Sequence, residues 1–349
     1  MRTRMLLAVA TAAALTLTGC GQSPAPTTAA GAVLAGLGAE HIKVGVAFDT
    51  GGRGDKSFND AAGAGLDRAK KELEVEVSEA SPEKDADEDR IATLTELVEA
   101  GNNPVIAVGF QYAAALKQVA SEHADTTFAI VDDDSIDADN VVSLVFAEEQ
   151  GSYLVGAAAA LKSRSNVIGY IGGVKFPLLE KFEAGFVAGA KRVNPKIEVK
   201  VRYLSAPPDF SGFGVPEKAE KVAAEMMADK ADVIYAAAGG SGGGALKAVA
   251  ATRGATFVGV DTDQYESAEA DVKPAVLTSM LKRVDNAVFQ EIQAFIKGDR
   301  AGGVRRFDLK TDGVGYAVSN EPAIKPLQAK LEPLRQQLYD GKIVAPTQP

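Results

Sequence analysis

From residue 41 onward, short apolar runs alternate with longer stretches whose apolar residues fall three and four apart. The runs at 42–48, 105–108, 127–131, 141–146, 167–171, 197–203, 233–236 and 257–260 predict buried strands. The stretches at 58–73, 89–100, 180–193, 216–228 and 244–252 predict helices between them, with a longer helix at 148–162. Such alternation implies an α/β fold, with parallel sheets covered by helices on both faces. The pattern runs once before and once after the helix at 148–162, so two doubly wound lobes are expected. Later segments at 275–281, 285–296, 305–309 and 315–318 are too few for a third domain and should return to the earlier lobes. The expected division is 41–147 plus about 283–303 for one lobe and 148–282 plus about 304–345 for the other, with the chain crossing a hinge several times.

The N-terminus changes the picture. Arg2 and Arg4 precede an apolar run at 5–17 and the sequence Leu17-Thr18-Gly19-Cys20, a pattern that predicts a secretory signal over 1–19. The run is too short for a transmembrane helix. Leu-Thr-Gly-Cys resembles a bacterial lipobox, which implies cleavage before Cys20 and a lipid on its sulfur; an ordinary signal peptide followed by an unrelated Cys is the other reading. Residues 20–40 carry no charge before Glu40 and are rich in Ala, Gly, Pro, Ser and Thr, as a flexible tether would be. The expectation is a protein on the outer face of the cell membrane, held by acyl chains rather than by a helix.

Composition then excludes several classes. With 349 residues, 46% hydrophobic and 24% charged, the chain is globular and long enough for two cores. A single Cys rules out a disulfide framework and a Cys-rich zinc site, and His41 and His123 stand apart from any metal-ligand pattern. The net charge is −10, or −12 once Arg2 and Arg4 are removed, which disfavours nucleic acid as a partner.

Ligands of open parallel sheets sit beyond the carboxyl ends of the strands, so the polar residues that follow each apolar run are the candidates. After the first run come Asp49 to Asn59, where glycines allow close backbone approach, Ser57 is placed to cap a helix, and the helix start would favour an acceptor group. Phe58 could stack on a planar ring or staple the helix to the core. Asp132-Asp133-Asp134 follow another run, with Asp132 the ligand candidate and the other two expected in a solvated loop. In the second lobe, Gly240, Gly242 and Ala245 followed by Asp261 come near a dinucleotide fingerprint. No nicotinamide pool is expected outside the cytoplasm, but the same parts would serve any ligand with a cis-diol: glycines for close approach and a strand-end carboxylate for two hydroxyls. Lys282 ends a further run and could point into the same crevice or into solvent.

Asp85, Asp87, Asp89 and Glu96 imitate a calcium loop, but Arg90 stands where that loop turns on Gly, and the region reads better as the acidic first turn of a helix. No Ser, His and Asp pattern suggests nucleophilic catalysis. No enzyme, metal or cofactor is expected.

Several of these segments, in order, resemble the basic membrane protein family of substrate-binding lipoproteins. They are Asp49-Thr50-Gly51-Gly52 with Asp55-Lys56-Ser57-Phe58-Asn59, Phe146-Ala147-Glu148-Glu149-Gln150-Gly151-Ser152-Tyr153, Phe182-Glu183-Ala184-Gly185-Phe186, Ala237-Ala238-Gly239-Gly240-Ser241-Gly242, Gly259-Val260-Asp261-Thr262-Asp263-Gln264 and Thr278-Ser279-Met280-Leu281-Lys282. The resemblance spans roughly residues 44–318. It implies a type I periplasmic-binding-protein fold and the receptor of an ABC importer, with a nucleoside, most often a purine nucleoside, as ligand and membrane permease subunits as partners; a tethered monomer is the default expectation, which the sequence does not fix. By the same resemblance, Phe58 and Phe182 would stack on the two faces of the base, and Asn59 and Asp132 would bond its edge. Asp261 and Lys282 would hold the ribose near the Gly240 backbone, with Asp49 close by. The segment 205–214 departs from the family pattern, so a contact from Asp209 or Phe210 does not carry over. A same-fold receptor for a sugar or another small polar solute, and a sensor lipoprotein that works without a transporter, remain as alternatives.

Overall fold

The computed structural model describes residues 42–49 and 52–349. The expected signal at 1–19, the lipidated Cys20, the tether at 20–40, His41, Thr50 and Gly51 lie outside the described residues.

Two six-stranded sheets organise the chain. The first contains β1 (Lys43–Ala47), β2 (Glu76–Ala80), β3 (Val105–Val108), β4 (Phe128–Val131), β5 (Val141–Phe146) and β11 (Gly303–Phe307), in the order β11-β5-β4-β3-β1-β2, and every pairing is parallel. The second contains β6 (Val167–Val174), β7 (Glu198–Ser205), β8 (Val233–Ala237), β9 (Thr256–Asp261), β10 (Val276–Lys282) and β12 (Val314–Tyr316), in the order β12-β10-β9-β8-β6-β7. Only β12 runs antiparallel, against β10. The central strands are runs of Val, Ile and Ala buried on both faces, as a parallel sheet between helix layers requires.

Helices α1 (Phe58–Glu72), α2 (Asp87–Glu99) and α3 (Ala113–Glu122) serve the first sheet. After the first crossover come α4 (Glu148–Lys162), α5 (Pro177–Val193), α6 (Pro216–Ala228), α7 (Gly242–Ala250) and the short α8 (Gln264–Ser267). α9 (Val284–Ile296) returns to pack on α1, and α10 (Glu321–Tyr339) closes the chain. The expected elements are present within a few residues of their bounds. β2, α3 and α10 went unforeseen. β2 is a half-exposed edge strand with three polar residues among its five, and α10 contains Pro326 and Pro333 while burying only Ile324, Leu331 and Leu338 at a seven-residue spacing.

The late crossover differs from expectation. The strand forecast at 305–309, in the second lobe, lies at Gly303–Phe307 and pairs with β5 in the first sheet. Its side chains explain this: the Phe307 ring stacks on Phe146 with centroids 5.2 Å apart, and Arg305 reaches the buried Glu291 of α9 at 2.8 Å. The chain therefore passes between the sheets after β5, after β10 and after β11, which makes a three-stranded hinge.

α4 and α5 pack so closely that backbone meets backbone. A β-carbon at Gly185 would lie 2.2 Å from the Glu149 carbonyl oxygen, and one at Gly189 would lie 1.9 Å from that of Tyr153. Gly189→Ala should push the helices apart and lower stability by about 1–3 kcal/mol, read as an earlier midpoint in urea unfolding. An unchanged midpoint would show that the helices slide freely.

Candidate functional site

The strand ends of the two sheets meet at a cavity of about 320 Å³. All eight residues singled out from the sequence as ligand candidates line it: Asp49, Phe58, Asn59 and Asp132 from the first sheet's side, and Phe182, Gly240, Asp261 and Lys282 from the second's.

On the first side, the loop after β1 is drawn tight by its own polar groups. Asn59 Oδ1 accepts from the Asp49 backbone N–H at 3.1 Å, which leaves the amide N–H of Asn59 as what it can offer a ligand. The Asp55 carboxylate accepts from the backbone N–H groups of Ser57, Asn59 and Asp60 at 2.8, 2.9 and 3.1 Å. The anion-binding start of α1 is thus filled by the protein's own Asp55, whose pKa burial raises and these three donors hold down. Ser57 makes no helix-capping bond, contrary to expectation; its hydroxyl donates to Asp261 Oδ2 at 2.6 Å, across the two sheets.

Asp132 and Asp261 occupy matching places, each at the end of the fourth strand of its lobe. Both adopt left-handed backbone conformations, with φ of 74° and 64°, a region that Asp tolerates better than most residues. That turn ends each strand. Asp133 instead closes its own loop, accepting from the Ser135 N–H and hydroxyl.

Lys282 is buried and not solvated. It extends from β10 of the second sheet, yet its ammonium donates to Asp132 Oδ2 of the first at 2.6 Å. Glu148 Oε1 lies 3.2 Å from the same nitrogen, an ion-pair distance without hydrogen-bond alignment. The rings of Phe58, Phe146 and Phe182 surround it with centroids 5.2, 5.1 and 5.5 Å away, close enough for cation–π attraction. Lys282 therefore bonds Asp132 directly, while Asp261 acts on it through the field.

Burial pushes Asp261 up to about 7; Lys282 and the Ser57 bond oppose that rise, and Asp55 and Asp132 add to it. Burial likewise pushes Asp132 up to about 6, against the pull of Lys282 and with the help of Glu148. Burial alone would lower the Lys282 pKa, but Asp132, Glu148 and Asp261 together hold it above its usual value. Both lining cations are already engaged, since Arg53 forks onto Asp67 and Glu79 with bonds of 2.7–3.0 Å.

Further contacts tie the two sides together. The Lys56 carbonyl accepts from the Thr262 hydroxyl at 2.9 Å, and its ammonium pairs with Glu269. Phe110, which follows β3, stacks on Phe176 of the second side at 4.5 Å and 13°, and Phe210 packs edge-on against both. Phe210 thus joins a ring cluster linking the two sides without lining the cavity, while Asp209 is exposed and only braces its own turn.

Strand-end reasoning missed Phe110, although it follows an apolar run and Gly109 as directly as the chosen residues follow theirs. It also missed Glu148 as a partner of Lys282, because an acid in a helix's first turn has an ordinary explanation in the helix dipole. The calcium-like acids behave as a helix start: α2 begins at Asp87, and Arg90 fills the place with pairs to Asp85 and Asp87. No group of metal ligands occurs among the described residues, and no described helix is long and apolar enough to cross a membrane.

Comparison with known proteins gives a consistent answer. Residues 42–348 match the family described as ABC transporter substrate-binding protein PnrA-like. A CD4+ T-cell-stimulating antigen of Listeria monocytogenes is 34% identical over 88% of this chain and 88% of its own length. The ABC transporter nucleoside-binding protein BmpA of Lactococcus lactis is 30% identical over 97% of each chain. A solute-binding protein of an ABC transporter system from Aeropyrum pernix superposes with a TM-score of 0.75 at 28% identity, covering 87% of this chain and 94% of that one. The two lobes and their crossovers are the type I periplasmic-binding-protein fold.

The raised carboxyls set a pH dependence. A group whose folded pKa lies above its unfolded value of 3.8 favours folding while protonated, and that contribution is lost as pH rises through the folded value. The melting temperature of the protein without added ligand should therefore fall between about pH 4 and about pH 7, with Asp132, Asp261 and the buried Glu291 contributing. Asp261→Asn should flatten that fall. An equally steep profile in the variant would show that Asp261 titrates normally.

Proposed function

The chain belongs to the Bmp family of ABC transporter substrate-binding proteins, and from that premise we propose that it captures a nucleoside, with purine nucleosides first, and presents it to a membrane permease for import. The family consists of receptors and not enzymes; its members bind a small molecule and work with permeases. The observation that carries the nucleoside reading is the convergence of two aromatic rings, Phe58 and Phe182, with the strand-end acids Asp132 and Asp261 on one cavity. Rings give a base two apolar faces. Carboxylates and a backbone approach at Gly240 give a ribose its hydrogen bonds. The name of the Lactococcus lactis relative, a nucleoside-binding protein, supports the same class.

Closure follows from where the parts sit. A ligand held by Phe58, Asn59 and Asp132 on one lobe and by Phe182, Gly240 and Asp261 on the other binds the closed arrangement better than the open one, and that difference in affinity favours closure. The contacts among Ser57, Asp261, Lys282, Asp132 and the Phe110 stack then form together. In the same proposal the lobes divide at the three crossovers, Cys20 carries a lipid that anchors a monomer to the outer face of the membrane, and residues up to 40 act as the tether. Lipobox-like Leu17-Thr18-Gly19-Cys20 is the support for the anchor.

Calorimetry with adenosine, guanosine, inosine, free bases and free ribose tests the ligand class. Nucleosides should bind, and bases and ribose alone should bind at least about tenfold more weakly, because either one leaves buried polar groups unpaired. Asp261→Ala should weaken nucleoside binding by about 1.5–3 kcal/mol, roughly ten- to a hundredfold. A variant with wild-type affinity would remove Asp261 from the site, and tight binding of a sugar alone would replace the nucleoside with a sugar.

A further inference from the structure

We propose that Glu148 is a positioning residue for the cavity: its buried carboxylate draws the Lys282 ammonium to one side of Asp132 and so leaves Asp132 Oδ1 without a protein donor, to be paired by a donor on the ligand. The inference rests on the nucleoside reading only in naming that donor.

Three observations carry it. Glu148 is 0% exposed and does not line the cavity, so any effect on a ligand passes through another residue. Its neighbours of opposite charge are Lys282 at 3.2 Å and the partly exposed Lys181 at 3.7 Å, and neither of its oxygens has a hydrogen-bond donor among the described residues. Finally, Lys282 contacts Asp132 at Oδ2, while Oδ1 of this cavity-lining residue is itself buried and has no hydrogen-bond partner among the described residues.

A buried carboxylate without donors is costly, and a hydrophobic residue of similar size would fill its place at no such cost. Its charge has an evident use. An ammonium facing one carboxylate alone is free to settle between both oxygens and cover them. A second carboxylate on one flank pulls it toward that flank. Glu148 is well placed to do so, since it opens α4 directly after the first crossover, at the junction of both lobes with the hinge. The other charged groups facing the pair are Asp261 at the end of β9 and Lys181 of α5, with Asp55 acting on Asp261.

Glu148→Gln keeps the shape and removes the charge. Two measurements read the consequence. Carboxyl ¹³C titration of Asp132 without added ligand should show a midpoint near 6 in the parent protein and a lower one in the variant, because a negative neighbour has gone and the ammonium can cover both oxygens. Calorimetry with guanosine and adenosine should show affinity reduced by about tenfold, the scale of one charge-assisted hydrogen bond. Glu149→Gln, one residue on and paired to Arg306 instead, should leave the Asp132 midpoint where it was. If Glu148→Gln does not fold, Glu148→Asp withdraws the charge by one methylene and should lower the same midpoint by less. An unchanged midpoint or unchanged affinity in Glu148→Gln overturns the proposal. Failure of the parent protein to bind either nucleoside would overturn the nucleoside reading instead, while the Asp132 midpoint still decides the part played by Glu148.

Discussion

One buried ammonium holds the site together. Lys282 leaves the second sheet, crosses to Asp132 at the end of the first, and lies beside Glu148 where the chain makes its first crossover. Charges taken out of water are stable only with counter-charges in good geometry, so the positions of these residues are strongly interdependent. The left-handed turns that end β4 and β9 aim Asp132 and Asp261 at the cavity. The close packing of α4 on α5 places Glu148 and Phe182 on its second side. The Lys282–Asp132 and Ser57–Asp261 bonds both link residues of the two sheets' sides.

Much of this was legible in the sequence because both layers of information were local. Buried parallel strands are short apolar runs, and a ligand site at their carboxyl ends is whatever polar group comes next; Asp132, Asp261 and Lys282 were found by that rule, Asp49 was added by the family resemblance, and all four line one cavity. The failures share a cause as well. β2 is a mostly polar strand and β11 carries two arginines among its five residues, so the sheet each joins is decided by partners far along the chain, such as Phe146 for Phe307. Ser57 has the right residue type and position for a helix cap, yet Asp55 takes that role and frees the hydroxyl to cross the cleft. Asp55 at 2.8 Å from the Ser57 N–H is a tertiary detail that spacing does not reveal.

The segment 205–214 shows how a departure from family pattern can be structural. It supplies Phe210 to the Phe110–Phe176 stack and Phe213 to the cavity wall, while Asp209 stays in solvent. Fold likeness alone would not identify a ligand, since one architecture serves many solutes. What narrows the choice is chemistry: aromatic faces, acids at two strand ends, and two cations already bonded to the protein's own carboxylates. Such a cavity suits a neutral ligand with a planar ring and several hydroxyls.

The most direct measurement uses the protein as it comes from its cells. After gentle purification it is denatured and the released small molecules are identified by mass spectrometry, with the absorbance spectrum recorded beforehand. The chain has no Trp, so a bound purine would stand out against the weak absorbance of Tyr and Phe. Release of one nucleoside in near one-to-one amount is the predicted result. Release of a sugar in that amount, with no nucleoside, would contradict the account.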